Sequence, residues 1–472
     1  MQPATLSAPA SHARLLPVFA AFIVMLVLAA LDQTILATAL PAISRELHGS
    51  DRLSWVFSAY LMAATVVVPL YGRLADMHGS KPLLLLATAL FLGGSLACGM
   101  SDSMTMLILA RGVQGAGGGG LMTLTLLGVA DLVPLERRAA WQSTLGASYG
   151  LATMFGPLIG ATLVQHLSWH WAFLINLPFA LLALAIIAWR MPRAQPRPAQ
   201  GVDLPGALLL AASLVALLLA TRRDAEATAA RAGLLMLLGA GLAALFLWRQ
   251  QRAAHPILSL ALFERRDFSV ATLLSGAAGV ALFSAVVFLP VFLQTALAKS
   301  PIASAWHLLP LMAGITAGAV GTGRRLRGDG RMRARAMRAC AAIALAFSAL
   351  AAVLWLAPSS PLLLSACLLP LGLGIGSLFP LVTVMAQRSA PPQFQGVATS
   401  TPIMLRSLGG ALGVSALGAL FAHRIAAAPM AQGLPVAFAG ALLPVYLLTA
   451  LLGLLAWALA RRWPSHVPQP TG

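Results

Sequence analysis

The chain has 472 residues, of which 59% are hydrophobic and only 9% charged, with a mean hydropathy of +0.86. Soluble domains carry about 25% charged residues, so this chain has too little polar surface for water and its solvent is lipid. A formal net charge of +18 would suit a nucleic-acid partner, but the placement of the charges, taken up below, excludes that reading.

About 20 apolar residues are needed to cross a hydrocarbon core of ~30 Å. By that measure the sequence predicts fourteen spans, near 15–40, 53–72, 82–100, 103–130, 141–164, 171–189, 204–221, 233–249, 268–294, 304–323, 337–357, 361–386, 395–423 and 437–460. The loops between them are too short to hold a soluble catalytic domain. The first span follows Arg14 in a pattern that mimics a leader peptide, but no persuasive cleavage site follows it, and a retained helix is expected.

Charges inside lipid are costly and point to function by default. In the first span Asp32 lies ten residues from Ala42 at the outer end, ~15 Å deep. After the second span comes Gly72-Arg73-Leu74-Ala75-Asp76-Met77-His78-Gly79, with Lys81 beyond it. The fourth span carries Arg111 about eight residues from its outer end, ~12 Å deep, with Gln114 one turn on. Asp32 and Arg111 are thus at comparable depths and can share one cavity. Two readings stay open: a proton carrier, in which burial favours the neutral acid and the guanidinium favours the carboxylate, or a permanent ion pair that locks two helices.

The run Gly115-Ala-Gly-Gly-Gly-Gly120 resembles a phosphate loop, yet no Gly-Lys-Ser/Thr follows and it lies in a membrane helix, so no ATP site is expected. The fifth span holds Gly146, Gly150, Gly156-Pro157 and Gly160. Small residues four apart let helix backbones approach closely, and Pro157 permits a bend. His166 and His170 lack further ligands, so no metal site is expected. A Pro- and Arg-rich stretch, 191–205, and a polar break at 249–267 divide the helices into six, two and six. The domains are 1–198, 199–255 and 256–472. In the second block Gly323-Arg-Arg-Leu-Arg-Gly-Asp-Gly330 repeats the glycine spacing of 72–79 at the equivalent place, as internal repeats of carriers do. Arg406 falls midway along the thirteenth span, before Gly409, Gly410 and Gly413. It is either functional or an arginine bonded to helix carbonyls.

With the N-terminus placed in the cytoplasm, twenty-two of the 31 Lys and Arg fall in cytoplasmic loops and tails, seven outside, and Arg111 and Arg406 within spans. This is the positive-inside bias for an even helix count with both termini cytoplasmic. Basicity therefore reports topology and contact with the lipid bilayer, not nucleic acid. The three cysteines, Cys98, Cys340 and Cys367, all fall within spans and imply no disulfide framework.

Together these motifs resemble the major facilitator superfamily, in its fourteen-helix drug:proton antiporter branch, over nearly the whole chain. Leu31-Asp32-Gln33-Thr34-Ile35 through Ala39-Leu40-Pro41 is similar to the first-helix motif of that branch. Gly72, Arg73, Asp76, Gly79 and Lys81 resemble the loop motif that forms a cytoplasmic charge latch, with Ser80 where the family usually has Arg. Arg111 with Gln114-Gly115 resembles the fourth-helix motif, whose arginine the family links to proton transfer. Gly146, Gly150, Gly156-Pro157 and Gly160 resemble the antiporter motif, with Ala161 replacing a second glycine. Trp169-His170-Trp171 with Phe173, Asn176 and Pro178 resembles the sixth-helix start, with His170 in place of Arg. Leu405-Arg406-Ser-Leu-Gly409-Gly410 resembles the thirteenth-helix pattern.

The resemblance implies an all-α membrane protein of major facilitator fold: two six-helix bundles with an inserted pair. It implies export by alternating access in a bacterial inner membrane. Asp32 is expected to take the proton, Arg111 to tune it, Gln114 and Thr34 to line the site, and the glycines to control closure. The coupling agent is a proton gradient with no cofactor. With one carboxylate well inside the membrane, a monocationic or neutral amphiphile is expected rather than a divalent cation. A monomer is expected, and the short outer loops leave room for a periplasmic adaptor. The rival readings are export of a metabolite by the same fold, and a sensor or channel that does not transport. An enzyme is not expected.

Overall fold

The computed structural model describes residues 12–47, 53–192, 201, 203–220, 229–254, 256–325, 331–427 and 433–463. Backbone N–H and C=O groups find no water in lipid, so each must be paired within its own segment. The long Leu/Ala-rich stretches accordingly become helices, and the described residues contain no strand. The helices are α1 (His12–Glu46), α2 (Leu53–His78), α3 (Ser80–Gly99), α4 (Met104–Leu132), α5 (Leu135–His166), α6 (Trp171–Leu174) and α7 (Asn176–Arg190). They continue with α8 (Leu204–Ala220), α9 (Ala229–Arg252), α10 (Arg266–Val291), α11 (Pro301–Arg325), α12 (Met332–Leu356), α13 (Pro361–Ser389), α14 (Gln395–Ala426) and α15 (Leu434–Arg461).

Twelve helices among the described residues are long and apolar enough to cross a membrane, with α6 and α7 counted as one span. They correspond to twelve of the fourteen stretches read from the sequence. The other two differ. The fifth is broken between Ala140–Thr153 and Leu158–His166 by a bend of 43°. The break holds Gly156 and Pro157, and proline removes a helical hydrogen bond and displaces the carbonyl four residues back. The seventh, α8, has 17 residues up to Ala220, where the described residues of this stretch end. If the bent pair counts as one span the number becomes 13.

Two bundles each have their own core. One gathers Val18, Phe22, Leu84, Phe91, Leu124 and Ile187 from α1, α3, α4 and α7. The other gathers Phe268, Phe347, Leu371, Met385 and Tyr446 from α10, α12, α13 and α15. Helices in lipid gain little from the hydrophobic effect against one another and associate by close packing instead. The glycine run of α4 serves that purpose. A Cβ at Gly115 would strike the Tyr60 carbonyl of α2, and one at Gly117 the Phe91 amide of α3. The bundles meet chiefly where α5 packs on α11 and α2 on α14. The pair α8 and α9 packs together, with α8 also against α2 and α14. At its start the buried Asp203 accepts from the Gly206 amide at 3.1 Å, Arg249 Nε at 2.7 Å and Gln250 Nε2 at 2.8 Å. The second copy of the loop motif, Gly323–Gly330, lies outside the described residues from 326 to 330.

Candidate functional site

Asp32 and Arg111 meet. Arg111 Nη1 donates to Asp32 Oδ2 at 2.6 Å, with both side chains fully buried. Gln114, one turn along α4, donates through Nε2 to Asp32 Oδ1 at 2.6 Å and accepts from Arg111 Nη1 at 2.7 Å. Its amide also donates to Ser95 Oγ of α3 at 2.8 Å, and the Cys98 thiol donates to its oxygen at 3.5 Å. From α7, Asn176 Nδ2 reaches Asp32 Oδ1 and Ser95 Oγ, both at 3.3 Å. Arg111 further donates from Nε to the Val56 carbonyl at 3.2 Å and lies over the Tyr60 ring, 4.3 Å from its centroid.

The Asp32 carboxylate thus accepts three hydrogen bonds inside one bundle, in the low-dielectric setting where such bonds are strong. Two polar atoms in this nest have no partner: Arg111 Nη2 and Asn176 Oδ1. Ser95, Cys98, Tyr60 and the Val56 carbonyl carry no signal of their own in the sequence. They sit in apolar helices as isolated polar or aromatic residues, and only the fold brings them to the pair.

Thr34 does not reach the carboxylate. Its hydroxyl donates to the carbonyls of Ala30 and Leu31 in its own helix, both at 3.1 Å. It does meet the antiporter glycines, because a Cβ on Gly156 would collide with Thr34 Oγ1. The glycines of α5 differ among themselves. Gly150 faces α11, where a Cβ would stand 3.1 Å from Thr316 Oγ1, whereas a Cβ on Gly146 would have open space around it. Close packing at Gly146, expected from the four-residue spacing, is therefore absent. Gly160 is buried in the same helix, and the helix runs on through Pro157.

The loop motif joins the bundles. Asp76, at the end of α2, accepts from the backbone amides of Gly396 at 2.6 Å and Val397 at 3.1 Å. It thereby caps the start of α14, where a carboxylate is favoured by the helix dipole. The backbones cross closely here: a Cβ on Gly72 would strike Ser400 Oγ, and one on Gly396 the Gly72 carbonyl. Gly79 has φ +77°, a conformation that glycine adopts without strain. Arg73 is buried. At the same end of the first bundle Lys81 caps α7, donating to the carbonyls of Ala188 at 2.8 Å and Met191 at 2.6 Å. Ser80, in place of the family's arginine, donates to Asp131 Oδ2 at 2.6 Å.

Sequence reasoning missed the polar seam around this latch. Arg138 donates to the carbonyls of Ala130 at 2.6 Å and Val133 at 3.0 Å, and across to Gln395 at 3.4 Å. Gln142 donates to Gln387 of the second bundle at 3.3 Å. Deeper in the interface Arg406 Nη2 approaches Met122 Sδ of α4 at 3.7 Å, and its guanidinium lies 4.5 Å from the centre of the Phe379 ring. At the far end of the first bundle Trp169 Nε1 donates to Glu46 at 2.8 Å, with His170 stacked on the indole at 3.8 Å.

Comparison with known proteins gives this geometry a family. Residues 22–414 match the sequence profile of the Major Facilitator Superfamily. The uncharacterized MFS-type transporter Rv1877 of Mycobacterium tuberculosis is 35% identical over 86% of this chain and 59% of its own length. The chain therefore spans less than two thirds of that relative. Multidrug transporter protein MdtP of Bacillus subtilis is 32% identical over 85% of this chain and 74% of its own. The crystal structure of the human organic anion transporter MFSD10 superposes with a TM-score of 0.66, covering 94% of this chain and 99% of that one, at 19% identity. At that identity it shows the fold alone. With the profile matched over most of its length, the chain belongs to the Major Facilitator Superfamily.

Proposed function

We propose that the protein is a proton-coupled antiporter that exports small lipophilic molecules from a bacterial cytoplasm or inner leaflet by alternating access. The observation that carries this reading is the buried Asp32–Arg111–Gln114–Asn176 nest. Multidrug transporters among the relatives support export as the direction. The finer architecture belongs to the same proposal: fourteen spans with cytoplasmic termini, bundles over 1–198 and 256–472, and an inserted pair over 199–255. It would work as a monomer in the bilayer, with a periplasmic adaptor as a partner that the short outer loops can accommodate.

On this reading the latch end, with Asp76 on α14, is cytoplasmic. The inter-bundle hydrogen bonds of the described residues run from that end to the depth of Met122, which is the pattern of a transporter closed to the cytoplasm. A proton reaching Asp32 would neutralise the carboxylate and break its hold on Arg111 Nη1. The freed guanidinium keeps the Val56 carbonyl and the Tyr60 ring as alternative partners. Asp32 and Thr34 share α1, Thr34 is locked to Gly156 of α5, and α5 packs on α11 of the other bundle. A shift of α1 is thereby transmitted to the interface. The expectation of a cationic cargo rested on Asp32 being open to it. With three donors already on that carboxylate, the cation loses its anchor, and only the lipophilic character of the cargo is retained here.

The test is accumulation of neutral N-phenyl-1-naphthylamine in everted vesicles under an imposed pH gradient, in the natural protein and in Asp32→Asn. Gradient-driven transport that vanishes in Asp32→Asn is the expected result. Transport that persists in the variant would move the proton elsewhere, and absence of transport by both would sink the exporter reading for this class of molecule.

A further inference from the structure

Arg111 and Arg406 both lie well inside their spans, and only Arg111 is neutralised by a carboxylate. Arg111 is paired with Asp32 at 2.6 Å. For Arg406 the described residues place no carboxylate within 4 Å. A guanidinium has five N–H donors and no acceptor. The hydrogen bonding of this one amounts to a weak contact from Nη2 to the Met122 thioether at 3.7 Å. It is not sealed away either: Arg406 is partly exposed, as are Met122 and Phe379 beside it. Tyr149 of α5 is an electrostatic neighbour of Arg406, and the Gln33 side chain of α1 is a neighbour of Tyr149. The guanidinium therefore stands where α4 and α5 of one bundle face α13 and α14 of the other.

An uncompensated cation at membrane depth is costly, and several kinds of partner could relieve it. A carbonyl of its own helix is not used, and no fixed carboxylate is supplied. The planar fork, with unused donors and an aromatic and thioether wall, matches a two-oxygen acid carried on an apolar body. Asp32 and Arg111 cancel each other, whereas Arg406 leaves a positive charge at the interface, which repels a cationic cargo and attracts an anionic one. We propose that Arg406 is an anion-binding subsite between the bundles, and that the cargo is an amphiphile with a single acidic head group, a carboxylate or a sulfonate. The assignment of the occupant as cargo rests on the exporter reading; the binding site itself does not. The same chemistry is offered by the phosphate of an anionic lipid, so the test separates the two sources.

The purified full chain in phosphatidylcholine nanodiscs is titrated by calorimetry with 2-naphthoate and with neutral 2-naphthamide, which share one apolar body. The expected result is naphthoate binding tighter than the amide by ~10-fold or more. Arg406→Gln should abolish the difference while leaving amide binding in place, and Arg406→Lys should retain part of it. Amide binding serves as the check that each variant is folded. Equal affinity of the two probes for the natural protein, or no binding of naphthoate, would overturn the subsite without reference to any variant. Unchanged selectivity in Arg406→Gln would do the same. Repeating the titration in nanodiscs containing phosphatidylglycerol should leave naphthoate affinity unaltered. Displacement of naphthoate by that lipid would assign the site to a lipid head group and overturn the cargo claim. Arg406-dependent binding without pH-gradient-driven movement of naphthoate in everted vesicles would leave the subsite standing and sink the exporter reading instead.

Discussion

Arg111 and Arg406 occupy membrane helices of the same protein, yet they are housed in opposite ways. Arg111 lies in the interior of one bundle, where every contact is to its own bundle: a carboxylate, an amide, a carbonyl and two aromatic rings. Arg406 lies between bundles, against a thioether and one ring. The bonds of the interior nest lie within one bundle, so relative movement of the bundles would not by itself break them. The interface is made of amide side chains, Asp76 on backbone amides, Arg138 on Gln395 and Arg406 on a thioether, contacts that can be released and remade at modest cost. On the proposed reading the two serve different ends: a fixed place to register a proton, and a yielding place to hold what is carried.

This contrast can be broken first at its strongest point. Asp32→Ala strips Arg111 of its carboxylate and is expected to destabilise the protein by about 3–5 kcal/mol, read by denaturant unfolding in detergent. Replacing both partners, with Asp32→Leu and Arg111→Met, should recover most of that loss. A cost of the single change no larger than that of a surface substitution would mean that the nest is not a rigid unit. Next in size, Met122→Glu sets a carboxylate beside Arg406 and converts the interface into a copy of the interior. It should stabilise the closed arrangement by about 1.5–3 kcal/mol and depress naphthoate binding, and unaltered binding would show that the guanidinium points elsewhere.

Smaller effects sharpen the same comparison. Asp76→Asn removes the charge, but not the oxygen, from the cap on α14, for a loss of about 1 kcal/mol. Ser400 is fully buried at this crossing, so a Ser400→Cys reporter should be alkylated about fivefold faster with Asp76→Asn than without it. Equal rates would locate the latch elsewhere. Smallest of all, Arg406→Gln should leave unfolding stability unchanged or raise it by up to about 1 kcal/mol, since no carboxylate is orphaned. A large loss of stability there would reveal a partner that the interface conceals.

The sequence showed the nest in outline and the interface hardly at all, and the reasons are physical. A carboxylate and a guanidinium at equal depth in apolar helices have few alternatives to each other, so Asp32 and Arg111 were legible from helix rise alone. Ser95 and Cys98 were not, because an isolated serine or thiol in an apolar helix announces nothing, and Asn176 was marked only by its place in the sixth-helix resemblance, not as a partner of Asp32. Likewise Gln142 is 245 residues from Gln387, and only the approach of α5 to α13 and α14 gives these glutamines and Gln395 a joint meaning. The bend at Gly156-Pro157 followed from proline chemistry, while the difference between Gly146 and Gly150 did not. Both are glycines at helical spacing, and what distinguishes them is whether another helix stands opposite.

The cap that Asp76 places on α14 grips main-chain amides, not side chains. Nearly any residue supplies an N–H, so side chains further along α14 can change through generations without touching the lock, provided Gly396 is kept. Inheritance of the gate and inheritance of cargo preference are thus separable on a single helix. On the exporter reading, a lineage could explore new molecules to expel while the contact between α2 and α14 stays as it was.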